Sequence, residues 1–236
     1  MVTNAAPPAP TVPRRARYTT VALKWAMAIS GILFVLFVLV HMYGNLKAFS
    51  GQEAFDGYAE SLRELLYPYL PHMGFLWIQR VVLTLALIVH VYAAAVLWLR
   101  ARAARPKKYV AHKSTVQTYS SRTMRWGGVI LLAFVVFHIL QFTTVTIEVG
   151  GSFDSPYQRL VVAFSPEHWW VYVTYLIAIV ALTMHVRHGV WSGLQTLGAS
   201  DRTRQAAINW IAYLVAAALL IGFMAPPTAI LLGFVN

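Results

Sequence analysis

The chain has 236 residues, 58% hydrophobic and only 11% charged, with a formal net charge of +11 and a mean hydropathy of +0.59. It has no cysteine, which excludes disulfides, thiolate-bound iron–sulfur clusters and covalently attached c-type haem. Five apolar runs, at about 23–46, 74–99, 125–147, 169–194 and 206–225, each reach the roughly 20 residues that cross a bilayer and leave no room for a soluble domain.

The expected fold class is therefore all-α, an integral membrane bundle of five transmembrane helices over residues 21–236. The placement of charge argues against a nucleic-acid partner. With the N-terminus cytoplasmic, 15 of the 19 basic residues fall on the inner side: Arg14, Arg15, Arg17 and Lys24, then Arg100, Arg102, Arg105, Lys107, Lys108, Lys113, Arg122 and Arg125, then Arg187, Arg202 and Arg204. Seven of the eight acidic residues fall outside, and only Asp201 lies inside. That asymmetry follows the positive-inside rule, and the eight-charge inner loop also offers a docking face for an acidic soluble partner.

Residues 1–20 are rich in Pro and Ala, and are expected to lack fixed structure. The first apolar run is too long for a cleaved signal peptide and shows no clear cleavage site, so it is expected to stay as a helix. After it, Phe55, Tyr58, Leu62, Leu65 and Leu66 recur at helical spacing, away from Glu53, Asp56 and Glu60. This predicts an amphipathic helix over Gln52–Leu66 lying on the membrane surface, with Pro68 and Pro71 leading into the second span. A shorter helix is expected around Tyr157, Leu160, Val161 and Phe164, closed by Pro166. Trp169 and Trp170 suit an interfacial aromatic belt. The fifth span lacks histidine and is expected to end before Pro226 and Pro227, sealing the bundle.

Each of the first four spans carries one histidine deep in its apolar run: His41, His90, His138 and His185. An ionisable group inside a bilayer is costly and marks function by default, and neutral imidazole is the commonest metal ligand. Helix direction sets depth. His41 lies 17 residues beyond Lys24 and His138 lies 13 beyond Arg125, both in the outer half. His90 comes 10 residues before Arg100 and His185 comes 10 before Gln195, both in the inner half. At 1.5 Å per residue the layers stand roughly 10–20 Å apart. The expected pairs are His41 with His138 and His90 with His185, each the axial ligand pair of a b-type haem.

Eleven residues make almost three turns, so position i−11 shares a face with i. Eleven before each histidine stand Ser30, Gln79, Gly127 and Thr174, with Gly31 and Gly128 adjoining. These small or polar positions are expected to lie level with the other layer, where a porphyrin needs clearance or a hydrogen bond. Arg80 is a candidate partner for a propionate or a lipid phosphate. His188, one turn beyond His185, reads as a contact to the haem rather than a ligand. His72, His112 and His168 read as ordinary interface histidines. Glu64, beside Leu65 and Leu66, is a candidate for exchanging protons with a bound quinone; Glu53 and Asp56 read as solvating residues.

The ensemble of His41-Met-Tyr-Gly-Asn45-Leu, Leu62-Arg-Glu64 with Pro71-His72 and Leu76-Trp77, Ile88-Val-His90-Val-Tyr, Phe134-Val-Val-Phe-His138-Ile-Leu and His185-Val-Arg-His188-Gly189-Val-Trp191 resembles a known family. It is similar to the single-chain, five-helix, di-haem cytochrome b anchor subunits of succinate dehydrogenases and fumarate reductases, over about residues 20–235. The resemblance implies ligands from each of the first four helices, paired first with third and second with fourth, and favours His185 over His188. It also implies a flavoprotein and an iron–sulfur subunit on the cytoplasmic face of a prokaryotic cell membrane. Electrons from succinate then pass through two b haems to a quinone, in this family usually menaquinone. Some members carry a glutamate two residues before the fourth ligand; here that position is Thr183, so no transmembrane proton route is carried over. Competing readings are a fumarate-reducing, nitrate reductase or hydrogenase cytochrome b and a histidine-relay transporter. The two ligands on one helix that a nitrate reductase or hydrogenase cytochrome b calls for, and the transporter's polar path and internal repeat, are missing from the sequence.

Overall fold

A computed structural model of the chain describes residues 18–104, 119–199 and 201–236. The expectations for residues 1–17, for Arg105, Lys107, Lys108, His112 and Lys113, and for the side chain of Arg122 fall outside the described residues. The described chain is all-helical. Its α-helices are α1 (Thr20–Leu46), α2 (Gln52–Arg63), α3 (Gly74–Ala103), α4 (Tyr119–His138), α5 (Pro156–Ala163), α6 (Trp169–Thr196) and α7 (Gln205–Leu231). Five of these segments are long and apolar enough to cross a membrane: α1, α3, Met124–Thr143 of α4 and its continuation, α6 and α7. Their outward faces carry exposed Val21, Ile29, Leu36, Leu85, Ile88, Leu99, Leu214 and Ile221. Helices apolar on all sides need lipid around them, and this is a multi-pass membrane protein.

Helices α1 and α6 form the centre. α3 packs on α1, α4 packs on α6, and α7 closes against both central helices. Small side chains allow the close approach: Ala178 and Ala181 of α6 and Ala212 and Ala216 of α7 are all buried, as membrane helix contacts favour. α3 runs antiparallel to α1, as α4 and α7 do to α6, while α7 runs parallel to α1. Arg100 donates to Thr20 Oγ1 at 3.1 Å and to the Tyr18 carbonyl at 2.8 Å, while Ser30 meets His90. That register places Gln79 of α3 level with His41 of α1.

At the opposite end from Tyr18, α2 and α5 lie over the bundle. α2 is shorter than its apolar period predicts. It stops at Arg63 because Leu66 turns to a φ of 69°, which a right-handed helix cannot accommodate, and the Arg63 carbonyl instead accepts from Met73 N at 2.7 Å. α5 starts with Pro156 at its first turn and Ser155 as N-cap, whose hydroxyl accepts from Gln158 N at 3.2 Å. Asp56 does more than solvate α2: its carboxylate accepts from Ser155 Oγ at 2.6 Å and from Tyr157 N at 3.0 Å, tying α2 to the N-terminus of α5 where a negative charge is favourable. Beneath this cover, Ala48, Tyr157, Leu160, Phe164, Val171, Tyr175 and Ile230 form a buried apolar cluster.

The last span does not end before its prolines. Pro226 and Pro227 both lie inside α7, which runs on to Leu231. An interior proline costs about 3 kcal/mol because it removes a backbone donor and crowds the preceding turn. Tertiary contacts carry the final turns past it: Ile230 joins the buried cluster, and Tyr172 and Thr228 hydroxyls are hydrogen-bonded at 3.1 Å.

Candidate functional site

The four deep histidines meet in two pairs inside the bundle. His41 of α1 and His138 of α4 have ring centroids 5.7 Å apart, and His90 of α3 and His185 of α6 have theirs 6.1 Å apart. The levels are separated by eleven residues of α1, from Ser30 to His41, or about 16 Å of helix.

At the first level, phenylalanine surrounds the rings. Phe37, one turn before His41, stacks on it at 5.5 Å, and Phe134, one turn before His138, stacks on that ring at 5.7 Å. Phe223 of α7 lies 5.9 Å from His41 and Phe142 lies 5.7 Å from His138. The fifth span, α7, therefore contributes to this level as well as closing the bundle. Directly after His138 the chain widens into a π-helical turn, Ile139–Thr143, a distortion that often marks functional sites. It brings Gln141 beneath Tyr175 of α6. The Tyr175 hydroxyl donates to Gln141 Oε1 at 3.0 Å and lies 2.9 Å from His138 Nδ1. Having given its one proton to Gln141, the phenol oxygen accepts from His138 Nδ1–H, which leaves Nε2 with the free lone pair.

The second level is built from small groups. One turn before His90 and His185 stand Ala86 and Ala181. Ser30 donates to the Ala26 carbonyl at 2.7 Å and lies 3.0 Å from His90 Nδ1, so its oxygen accepts from Nδ1–H and again Nε2 is left as the donor atom. A Cβ on Gly31 would sit 3.5 Å from the His90 ring, and one on Gly128 would sit 3.8 Å from the His185 ring. Phe34 meets His90 edge-on at 6.0 Å. His188 Nδ1 is buried with no hydrogen-bond partner among the described residues, and the His188 ring lies 5.9 Å from Trp191.

The remaining candidates divide. Ser30 and Gly31 do lie level with the other layer, against His90. On α4 and α6 the repeat between levels is ten residues, not eleven: Gly128 faces His185 and Tyr175 faces His138. Gly127 instead faces the Ala181 carbonyl, and Thr174 Oγ1 donates to its own helix at Trp170 O, 2.8 Å away. The eleven-residue rule assumes the same offset in every helix pair, and α4 with α6 does not share the offset of α1 with α3. Arg80 places its guanidinium 4.9 Å from the Trp77 ring. Glu64 caps the end of α2 with its side chain exposed. The acid with partners is Glu60, which pairs with Arg63 at 2.5 Å and His72 at 3.3 Å; hydrogen bonds from Arg63 first, then His72, hold its carboxyl below the usual range.

Sequence reasoning missed Tyr175 and Gln141. Gln141 is three residues past His138, the spacing of neighbours on one helix face, and a glutamine in an apolar run was the available signal. The Phe-versus-Ala difference one turn before each histidine was equally visible.

These residues suit haem. No group of three or more His, Cys, Asp or Glu side chains gathers among the described residues, so a bare metal would find only two protein donors where structural sites supply four. A macrocycle supplies the missing equatorial donors and asks the protein for two axial imidazoles. Metal–imidazole bonds of about 2.0 Å on either side of one ion place the two ring centres roughly 6 Å apart, close to the separations seen. Each level has one histidine whose Nε2 is left as donor by its second hydrogen bond, as metal-binding histidines require. Compared with protein-family models, curated proteins and solved structures, the chain matches none.

Proposed function

We propose that this chain is the di-haem cytochrome b membrane anchor of a succinate:quinone oxidoreductase. The observation that carries the reading is the meeting of four intramembrane histidines, from four helices, in two pairs of ring centroids 5.7 and 6.1 Å apart. His41 and His138 would hold one haem b and His90 and His185 the other. Bound there, each haem would supply a one-electron carrier within the bilayer.

The protein's own part is orientation and exclusion. Tyr175 and Ser30 hold the Nδ1–H of His138 and His90. Stacked Phe37 and Phe134 fix two rings and keep water from them, while Gly31 and Gly128 keep space beside the other two. Succinate oxidation belongs to a flavoprotein partner, which delivers electrons through an iron–sulfur partner; the absence of cysteine from this chain agrees with clusters held elsewhere. The basic ends assigned to the cytoplasm are the docking side by the positive-inside argument, in a prokaryotic cell membrane. Menaquinone is the proposed acceptor on the strength of the family resemblance. Glu64, exposed beside Leu65 and Leu66 at the membrane surface, is the proposed proton donor to it.

Pyridine-haemochrome analysis of the purified complex tests the reading. A ratio approaching two haems b per chain is expected. A ratio of zero or one overturns it.

A further inference from the structure

The Tyr175 hydroxyl is a polar atom in an aromatic cage. Ring centroids of Phe134, Phe164, Phe142 and Phe137 lie 4.8, 4.9, 6.3 and 6.4 Å from the Tyr175 ring, and Tyr175 is 7% exposed. A buried hydroxyl needs partners, and this one has two: Gln141 Oε1 and His138 Nδ1. Gln141 is itself 4% exposed, placed by the π-helical turn that follows His138. The direction of the relay follows from proton count. Neutral imidazole coordinating through Nε2 must carry its proton on Nδ1, the phenol must accept it, and the phenol's own proton must go to Gln141 Oε1. The Tyr175 hydroxyl stands 3.0 Å from Gln141 Oε1 and 2.9 Å from His138 Nδ1, the two partners that chain requires, while Gln141 Nε2 is buried with no partner among the described residues.

We propose that Tyr175 and Gln141 are positioning residues that set the donor strength of His138, and so the reduction potential of the haem at the His41/His138 level alone. The inference rests on the di-haem reading. A hydrogen bond accepted from Nδ1–H makes imidazole a more basic ligand, which favours the oxidised metal and lowers its potential. At the other level a serine hydroxyl, shared with the Ala26 carbonyl, does the corresponding work on His90, so each level is tuned by its own helix neighbour.

The test is redox titration and low-spin ferric EPR on the full complex in membranes, with haem content measured on the same samples. Tyr175→Phe should keep two haems. It should raise the potential of one of them by the equivalent of a three- to tenfold change in its reduction equilibrium, tenfold being 59 mV for one electron, and shift that haem's EPR signal alone. Gln141→Leu should give a smaller rise at the same haem, and Ser30→Ala should act only on the other. Two haems with unchanged potentials in Tyr175→Phe overturn the inference and leave the di-haem reading standing. If Tyr175→Phe loses a haem, Gln141→Leu decides: a rise at that level supports the inference, and no shift or a second haem loss overturns it. Wild-type complex without haem overturns both.

Discussion

The two histidine levels use the same donors and opposite surroundings. At His41 and His138 each ring stacks on a phenylalanine one turn earlier, a phenol and an amide orient His138, and α2, α5 and the chain's last turns lie over the end of the bundle. At His90 and His185 the same helical position is alanine, glycines face the rings, and a serine orients His90. The lesson is that identical imidazole pairs become different centres through what lies one turn away. Second-neighbour hydrogen bonds, burial and access are the levers that set haem potentials, and on the proposed di-haem reading they would differ between the levels while the imidazole pairs do not. An electron carrier with two steps at distinct potentials can be built this way without changing a ligand.

The strongest way to break the comparison is to remove ligands one level at a time. If the proposed di-haem reading holds, His138→Ala should abolish only the haem beside His41, and His90→Ala only the one beside His185, halving haem content in each case; potentiometric titration identifies the survivor. Loss of both haems from either variant would mean that the levels do not bind independently.

A second contrast concerns space. Gly31→Leu and Gly128→Leu drive side-chain carbons past the Cβ position into the His90 and His185 rings, an overpacking cost of roughly 1–3 kcal/mol. Haem should be displaced from that level only, whereas Gly31→Ala, with ordinary contact at 3.5 Å, should be accepted. Equal behaviour of alanine and leucine in haem content and thermal unfolding would refute the clearance argument.

The cover over the phenylalanine-lined level can be loosened without touching a histidine. Asp56→Ala removes two hydrogen bonds to the start of α5 and should cost about 1–2 kcal/mol. Hydrogen exchange should quicken in residues 52–63 and 155–164 and not around Ser30 or Gly128. Exchange that rises equally at both levels would show that the cover is not a local device.

The smallest effect is at Glu60. Its carboxyl is held below the ordinary value of 4.5, chiefly by the hydrogen bond from Arg63 and then that from His72. A folded-state value depressed in this way gives a contribution present above 4.5 that disappears as pH falls through the lowered value. The group is exposed, so salt screens it. Protection against exchange at Arg63–Met73, taken relative to the intrinsic rate at each pH, should therefore fall slightly as pH is taken below 4.5 at low salt, and Glu60→Gln should abolish that dependence. A dependence that survives the substitution would assign it to another group.

Much of this molecule was legible from residues alone, because a bilayer makes polarity and length decisive. A run of some 20 apolar residues has few alternatives to a spanning helix, and a histidine within it must find a partner. Depth could be counted from the flanking charges, so Ser30 and Gly31 could be set against the other layer before any neighbour was known. The same counting failed by one residue at Gly127 and Thr174. Helix rise is a local property, but the offset between two packed helices is set by their side chains and tilt.

Sequence by itself determined the class of fold, the five spans and the four histidines, since each depends on the free energy of single segments in lipid. Tertiary structure decided what no segment contains. It put Tyr175 rather than Thr174 against His138 and carried α7 through Pro226 and Pro227 by packing its last turns. It also turned Asp56 from a surface charge into a cap for another helix. Each of those outcomes is a contact between residues far apart in the chain, and its energy exists only once the helices have met.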